Sequence, residues 1–238
     1  MKFAKILIPI LVVVLIIGVF VFCGKKYEEL PLTRSEITIH KNTSLEIKGV
    51  IDYENSDISE TDTVSVSSTS ENIAKFENNK IVFGNEYGKA TLEIVVGNKK
   101  GTVSVNVVPY KDYLYSLAQA DGASGYDKLT YFATTWLINN LGTFKNPSSV
   151  SVEDIFYVKG DVDSNKFNGN YLIMEIRAQK GFGGYGVDYY KVSAGSLQVV
   201  DVDTVGFMHS YNGKDLSSWS FGAYYVNAAI REYIAENY

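Results

Sequence analysis

Gly181-Phe182-Gly183-Gly184-Tyr185-Gly186 has the G-x-G-x-x-G spacing that lets a backbone approach a pyrophosphate. Asp161-Val162-Asp163-Ser164-Asn165 opens the way an oxygen-ligand calcium loop opens. Neither pattern is completed. A dinucleotide site needs a helix whose N-terminus faces the phosphates, and Val187-Asp188-Tyr189-Tyr190 reads as strand, so the glycines are expected in a hairpin turn. In the acidic segment Lys166 stands where the sharp-turn glycine belongs and Leu172 where the bidentate glutamate belongs, which leaves a solvated hairpin tip. Asp201 and Asp203 alternate with Val200 and Val202 and so share one strand face, as an acid pair would, although an exposed strand end gives the same pattern. The two histidines, His40 and His209, lie far apart in the chain and suggest neither a two-histidine metal site nor a Ser-His-Asp grouping. No catalytic set, metal site or cofactor is therefore expected. The alternative is a hydrolase with Glu175, Asp188 or Asp201 in a cleft.

Tyrosine is the more informative type. Of 18 tyrosines, 15 lie from Tyr110 onward, an excess that sheet cores and binding surfaces both explain. A phenol ring offers rigid contact area with one hydrogen-bonding tip, suited to protein or glycan ligands. Phe182, Tyr185, Tyr189 and Tyr190, on and beside the glycine turn, are the candidate ligand contacts.

The elements that must carry these residues follow from periodicity. Leu129, Phe132, Ala133, Trp136, Leu137 and Leu141 recur at helical spacing, with Ser124 and Asp127 placed as a capping box and Gly142 placed for a left-handed C-terminal residue. Strands are expected near residues 150–159, 170–179, 185–192 and 197–202. In the second, Leu172, Met174, Ile176 and Ala178 form an apolar face opposite Glu175, Arg177 and Gln179, so one side of the sheet is covered. A last helix, about 218–237, places Val226, Ala229, Ile230 and Tyr233 on one face. Residues 110–238 thus read as an α+β domain, an antiparallel sheet with helices on one face.

Before it, residues 36–40, 44–48, 63–67, 73–76, 80–83, 90–96 and 102–108 alternate apolar and polar between Asn-, Gly- and Ser-bearing turns, the first two reading as antiparallel neighbours. Seven short strands closed by Pro109 indicate an all-β sandwich over residues 35–109. Within it, Val64-Ser65-Val66-Ser67-Ser68-Thr69-Ser70-Glu71-Asn72-Ile73-Ala74-Lys75-Phe76, Asn79-Lys80-Ile81-Val82-Phe83 and Tyr87-Gly88-Lys89-Ala90-Thr91-Leu92-Glu93-Ile94 resemble the bacterial Ig-like domain, group 2. Val66 replaces that family's usual Trp, and Asn79 its usual Gly before the Lys-Ile strand; Asn also tolerates a left-handed turn. The resemblance implies an extracytoplasmic Ig-like sandwich that acts as a spacer in surface proteins and has no active site. The stretch Leu141 to Ser149, with Ala178-Gln179-Lys180-Gly181-Phe182-Gly183-Gly184, is similar at low specificity to an uncharacterised module of Gram-positive envelope proteins.

The location comes from the other end of the chain. Residues 1–5 read as a cytoplasmic N-terminus. Ile6 to Cys23 carry no charge, and as a helix they are about 27 Å long, enough to cross a hydrocarbon core of roughly 30 Å. Phe20-Val21-Phe22-Cys23-Gly24 resembles a bacterial lipoprotein box and would make Cys23 the lipid attachment, but Phe22 and Phe20 stand where a small residue and Leu are usual. A retained transmembrane helix and a lipidated Cys23 are the two readings of residues 6–23. Lysines flank both ends and do not orient the segment. Residues 24–34 read as a linker.

Setting aside Lys2, Lys5, Lys25 and Lys26, the rest has 18 basic residues against 27 acidic ones, a net charge of −9, and no cysteine other than Cys23. That balance excludes a phosphate-tracking nucleic-acid binder and any disulfide framework. The expectation is a single-pass bacterial membrane protein with residues 27–238 extracytoplasmic. Its Ig-like spacer would present a C-terminal domain to a cell-wall glycan or an extracellular protein.

Overall fold

The computed structural model describes residues 26–181, 183–193 and 196–238. The apolar segment with Cys23, and the contact residue Phe182, lie outside the described residues. Among the described residues no helix is long and apolar enough to cross a membrane.

The described residues are mostly β-sheet with three α-helices. Its N-terminal part packs two sheets face to face. One joins β1 (Glu28–Glu29), β8 (Lys99–Val108), β7 (Gly88–Val96) and β4 (Val64–Ser68), with β2 (Glu36–His40) also on β8; the other orders β3 (Ser44–Glu46), β6 (Lys80–Phe83) and β5 (Ala74–Glu77). Alternation explains the core. Ala90, Leu92, Ile94 and Val96 of β7 and Val103, Val105 and Val107 of β8 point inward onto Ala74, Ile81 and Phe83. Asn78 and Asn79 both take positive φ in the turn joining β5 to β6, where Asn serves in place of glycine.

Two expectations change here. β2 and β3 are not neighbours: β2 pairs in parallel with β8, and β3 pairs with β6 in the opposite sheet. Alternation fixes which face a strand buries, and it leaves the partner open. In the stretch read as a linker, Glu28 and Glu29 pair with Lys99 and Lys100, and Leu30 is buried in the sandwich core.

Pro109 caps α1 (Tyr110–Gln119), which buries Tyr110, Leu114 and Ala118 at four-residue spacing. This helix has no counterpart among the elements expected from periodicity. In α2 (Gly125–Asn140), Asp127 N–H donates to Ser124 Oγ at 3.1 Å and Ser124 N–H donates to Asp127 Oδ2 at 3.1 Å, so the capping box forms. Gly142 does not take the left-handed role expected of it: a 3₁₀ turn, Leu141–Thr143, continues α2 instead. The third helix is α3 (Ser220–Asn237), with Val226, Ala229 and Ile230 buried.

With α1 packed on them, α2 and α3 cover one face of an all-antiparallel seven-stranded sheet. Its strands are β9 (Ser151–Val158), β10 (Tyr171–Gln179), β11 (Tyr185–Ser193), β12 (Ser196–Val200), β13 (Asp203–Val205), β14 (Met208–Tyr211) and β15 (Lys214–Ser218). Their order across the sheet is β12-β11-β10-β9-β15-β14-β13. Leu172, Met174, Ile176 and Ala178 are buried against Leu129, Ala133 and Leu137 of α2, as the one-sided pattern requires.

A joint ties the sandwich to the helices. Lys41 Nζ lies 3.3 Å from both Glu232 and Glu236 of α3 and donates to Tyr87 Oη at 2.7 Å, while Tyr87 donates to Glu236 at 2.5 Å. Tyr110 N–H donates to Glu232. The His40 ring packs on Tyr110 at 4.4 Å and on Tyr113 at 5.1 Å. The sandwich and the helices α1 and α3 are therefore linked by side chains as well as by the chain.

Candidate functional site

The seven-stranded sheet is strongly curled away from its helices. β12 and β13 are its two edges, yet only Asp201 and Val202 separate them in sequence, so their near ends lie within about 11 Å. Three strand spacings separate β10 from β14, about 14 Å in a flat sheet, but the rings of Tyr171 and Tyr211 sit 5.8 Å apart. The uncovered face is thus the inside of a trough.

Pairing register places its lining. Asp154, Glu175 and Tyr189 are opposite one another on β9, β10 and β11, and Phe156, Ile173 and Lys191 form the next row. A bulge inserts Glu153 into β9 at this point, the kind of irregularity that re-aims side chains. Phe156 is buried at the floor, with the ring of His209 at 4.6 Å and that of Tyr189 at 6.1 Å.

The charges on this face are differently satisfied. Asp154 accepts from Ser218 Oγ at 2.6 Å and from the Ile155 amide at 2.7 Å. Glu175, half-buried, has no hydrogen bond or ion pair among the described residues; burial, then Asp154 and Glu153, pushes its carboxyl up, with His209 opposing. Tyr189 is raised as well, by burial and then by the Glu175 charge. Lys191 Nζ lies over Tyr171 at 4.7 Å and Tyr211 at 5.7 Å, and the Arg177 guanidinium lies over Tyr185 at 5.1 Å. Neither cation has a carboxylate partner within ion-pair distance among the described residues.

The candidate contacts are divided by the sheet. Tyr185 and Tyr189 belong to the trough face. Tyr190 points to the helix side, packs on Phe144 at 5.4 Å, and donates to Asp188 at 3.4 Å. The three carboxylates of the hydrolase reading do not converge: Glu175 is in the trough, Asp188 is on the opposite face bonded to Lys180, and Asp201 is exposed on the link between β12 and β13. The glycine segment is a hairpin turn, with Lys180 N–H donating to Gly184 O at 2.7 Å and Gly183 at a φ of 88°. At the acidic segment Asp163 Oδ1 accepts from the amides of Asn165 and Lys166, closing a hairpin tip. Among the described residues no group of three His, Cys, Asp or Glu is arranged to hold a metal.

Asp154, Phe156 and His209 complete the trough and were not singled out as a group by their sequence. Their only signal was the placement of Asp154 and Phe156 on the polar side of a strand that neighbours Glu175.

No family model and no curated protein matches the chain. Solved structures that resemble it include the S-layer protein rSbsC(31-844), at 14% identity, covering 82% of this chain and 21% of that one, with a TM-score of 0.26. Domains 5-6 of the S-layer protein SbsC give 15% identity, 82% and 85% coverage, and a TM-score of 0.25. This chain spans about a fifth of the longer S-layer structure. Likeness this loose fixes neither fold nor function.

Proposed function

We propose that the chain is a membrane-anchored bacterial envelope protein in which an Ig-like module, residues 35–109, spaces a C-terminal binding domain, residues 110–238, from the bilayer. The apolar N-terminal segment supports the anchor, retained as a helix or replaced by lipid at Cys23. The two-sheet packing of residues 28–108 and its Asn turn support the Ig-like reading. The observation that carries the binding role is the trough. Glu175, Arg177 and Lys191 share a tyrosine-lined face without ion-pair partners among the described residues, and a ligand with its own polar groups would supply those partners. A cell-wall glycan or an extracellular protein is the expected ligand.

The full chain in maltoside detergent, titrated with purified cell-wall glycan fragments and with extracellular protein, tests this reading. Binding that falls at least about tenfold in Y189A and K191A supports it. Binding unchanged by both, or no binding to either ligand class, overturns it. Protease digestion of intact cells tests the topology, with residues 27–238 expected to be cut.

A second reading, hydrolysis, has one observation in its favour. Glu175, unbonded and raised, faces Asp154, which accepts two hydrogen bonds, and carboxylates in unlike environments can divide acid and base roles. Turnover of a glycan substrate that disappears in E175Q while binding persists would replace the binding role with catalysis.

A further inference from the structure

The trough is not the only concave site. A cavity of about 110 Å³ opens between α1, the start of α2 and the start of α3. Its walls are Tyr113, Trp219 and Tyr225, its apolar side is Leu114 and Leu117, and one carboxylate, Asp127, lines it. We propose that this cavity is an aromatic cage for an alkylammonium head group.

Three observations carry the assignment. First, three of the lining residues are aromatic, and because the face of an aromatic ring is negative, such a lining favours a cation over a neutral group. Second, the Trp219 and Thr130 donors are used within the wall, while the one carboxylate keeps a free oxygen. Trp219 Nε1 donates to Thr130 Oγ1 at 3.1 Å, so the indole is held in place and its donor is used. Asp127 takes both of its side-chain hydrogen bonds, from Ser124 N and Ser124 Oγ, on Oδ2, which leaves Oδ1 without a hydrogen bond among the described residues. A full negative charge with a free oxygen beside aromatic walls complements a positive ligand. The Tyr113 hydroxyl is raised by burial and then by the Tyr225 and Asp127 charges, which places these groups around one space. Third, the size is selective. An apolar cavity of about 150 Å³ accepts benzene, so about 110 Å³ accepts a group of four or five heavy atoms such as trimethylammonium.

The cage is preorganised by the fold. Trp219 stacks on Tyr126 at 4.4 Å, and its backbone amide donates to Ile155 O at 2.7 Å, tying the wall to β9. Tyr113 leans on the His40 ring of the sandwich. Tyr225 is the outer, partly exposed wall, continuous with the exposed rings of Phe221 and Tyr224.

The full chain in maltoside detergent, labelled with ¹⁵N at indole, reads the cage directly, because Trp136 on α2 lies outside the cavity lining and serves as the internal control. Choline at millimolar concentration is expected to move the Trp219 signal and leave Trp136 in place. Its neutral isostere, 3,3-dimethylbutan-1-ol, should bind at least about tenfold more weakly. Y225F should retain choline binding, and Y225L and D127N should each weaken it about fivefold or more. A peptide bearing trimethyl-lysine is the second arm: whichever of the two cations binds more tightly identifies a free head group or a modified protein as the source. Equal affinity for the neutral isostere, equal shifts at both tryptophans, or no shift at Trp219 up to about 100 mM of either cation would overturn the assignment. Loss of binding at the trough variants K191A and Y189A leaves this result untouched, so the two sites fail separately.

Discussion

Tyr189 on β11 and Thr204 on β13 bring their side-chain hydroxyls near one another, although five strand spacings, about 24 Å in a flat sheet, lie between their strands. That approach crosses the mouth of the trough, between strands close to the two free edges. A single neutral hydrogen bond contributes about 1 kcal/mol net. T204V, which keeps the shape and removes the hydroxyl, is expected to lower the urea midpoint slightly. It should also speed amide exchange selectively in Asp203–Val205. Unchanged exchange there would mean that β13 is held by its pairing with β14 alone.

Asn227 substitutes for a missing strand. β15 pairs with β9 only at Phe156, Tyr157 and Val158, so Val152 lies beyond its reach, and Asn227 of α3 bonds both Val152 backbone groups instead. Its Nδ2 donates to Val152 O at 2.7 Å, and its Oδ1 accepts from Val152 N at 2.8 Å. Val152 is buried, so removing the amide strands a donor and an acceptor at about 1–3 kcal/mol each. N227A is expected to destabilise by about 2–4 kcal/mol, read by urea unfolding. N227D, which keeps the acceptor and loses the donor, should also be destabilised.

The joint between the sandwich and α3 should weaken on acidification in two windows. Burial holds His40 below its ordinary value of 6.5. Folding therefore favours the neutral ring, and this contribution is complete above pH 6.5 and declines as the pH falls through the lowered value. Glu236 is held below its ordinary 4.5, chiefly by the Tyr87 hydroxyl and then by Lys41. Its contribution is present above that value and is lost at lower pH. H40F, which keeps an aromatic ring against Tyr110 and Tyr113, should abolish the first decline and retain the second. Urea midpoints measured from pH 8 to pH 3 check both.

Much of this architecture was legible in local pattern. The capping box at Ser124 and Asp127 and the apolar face Leu172, Met174, Ile176 and Ala178 are set by neighbours within four residues, and both appear as expected. What depends on distant partners was not legible. Nothing in Glu36–His40 distinguishes a parallel mate on β8 from an antiparallel one on β3. Asp203-Thr204-Val205 and Met208-His209-Ser210-Tyr211 are too short and polar to announce strands, and they form through the pairing of β15 with β9. The site suffered most. Asp154, Glu175 and Tyr189 are spread over 36 residues of sequence, and only the register of three strands and the curl of the sheet bring them together with His209.

Glu175 is the residue at which stability and function should oppose each other. Its carboxyl is raised from 4.5 by burial and by Asp154 and Glu153, so ionisation is disfavoured in the folded state. A raised carboxyl contributes stability that is complete below its ordinary value and is lost as the pH rises through the folded value. At pH 7 the ionised side chain is thus a liability, because no donor among the described residues satisfies it. E175Q removes the charge at nearly constant shape. Its urea midpoint is expected to exceed that of the parent at pH 7, with the gap closing toward pH 4, while glycan or protein binding at the trough declines. A lower midpoint for E175Q at pH 7 would mean that Glu175 is held by favourable contacts and is structural. A higher midpoint with unchanged binding would place the ligand elsewhere on the domain.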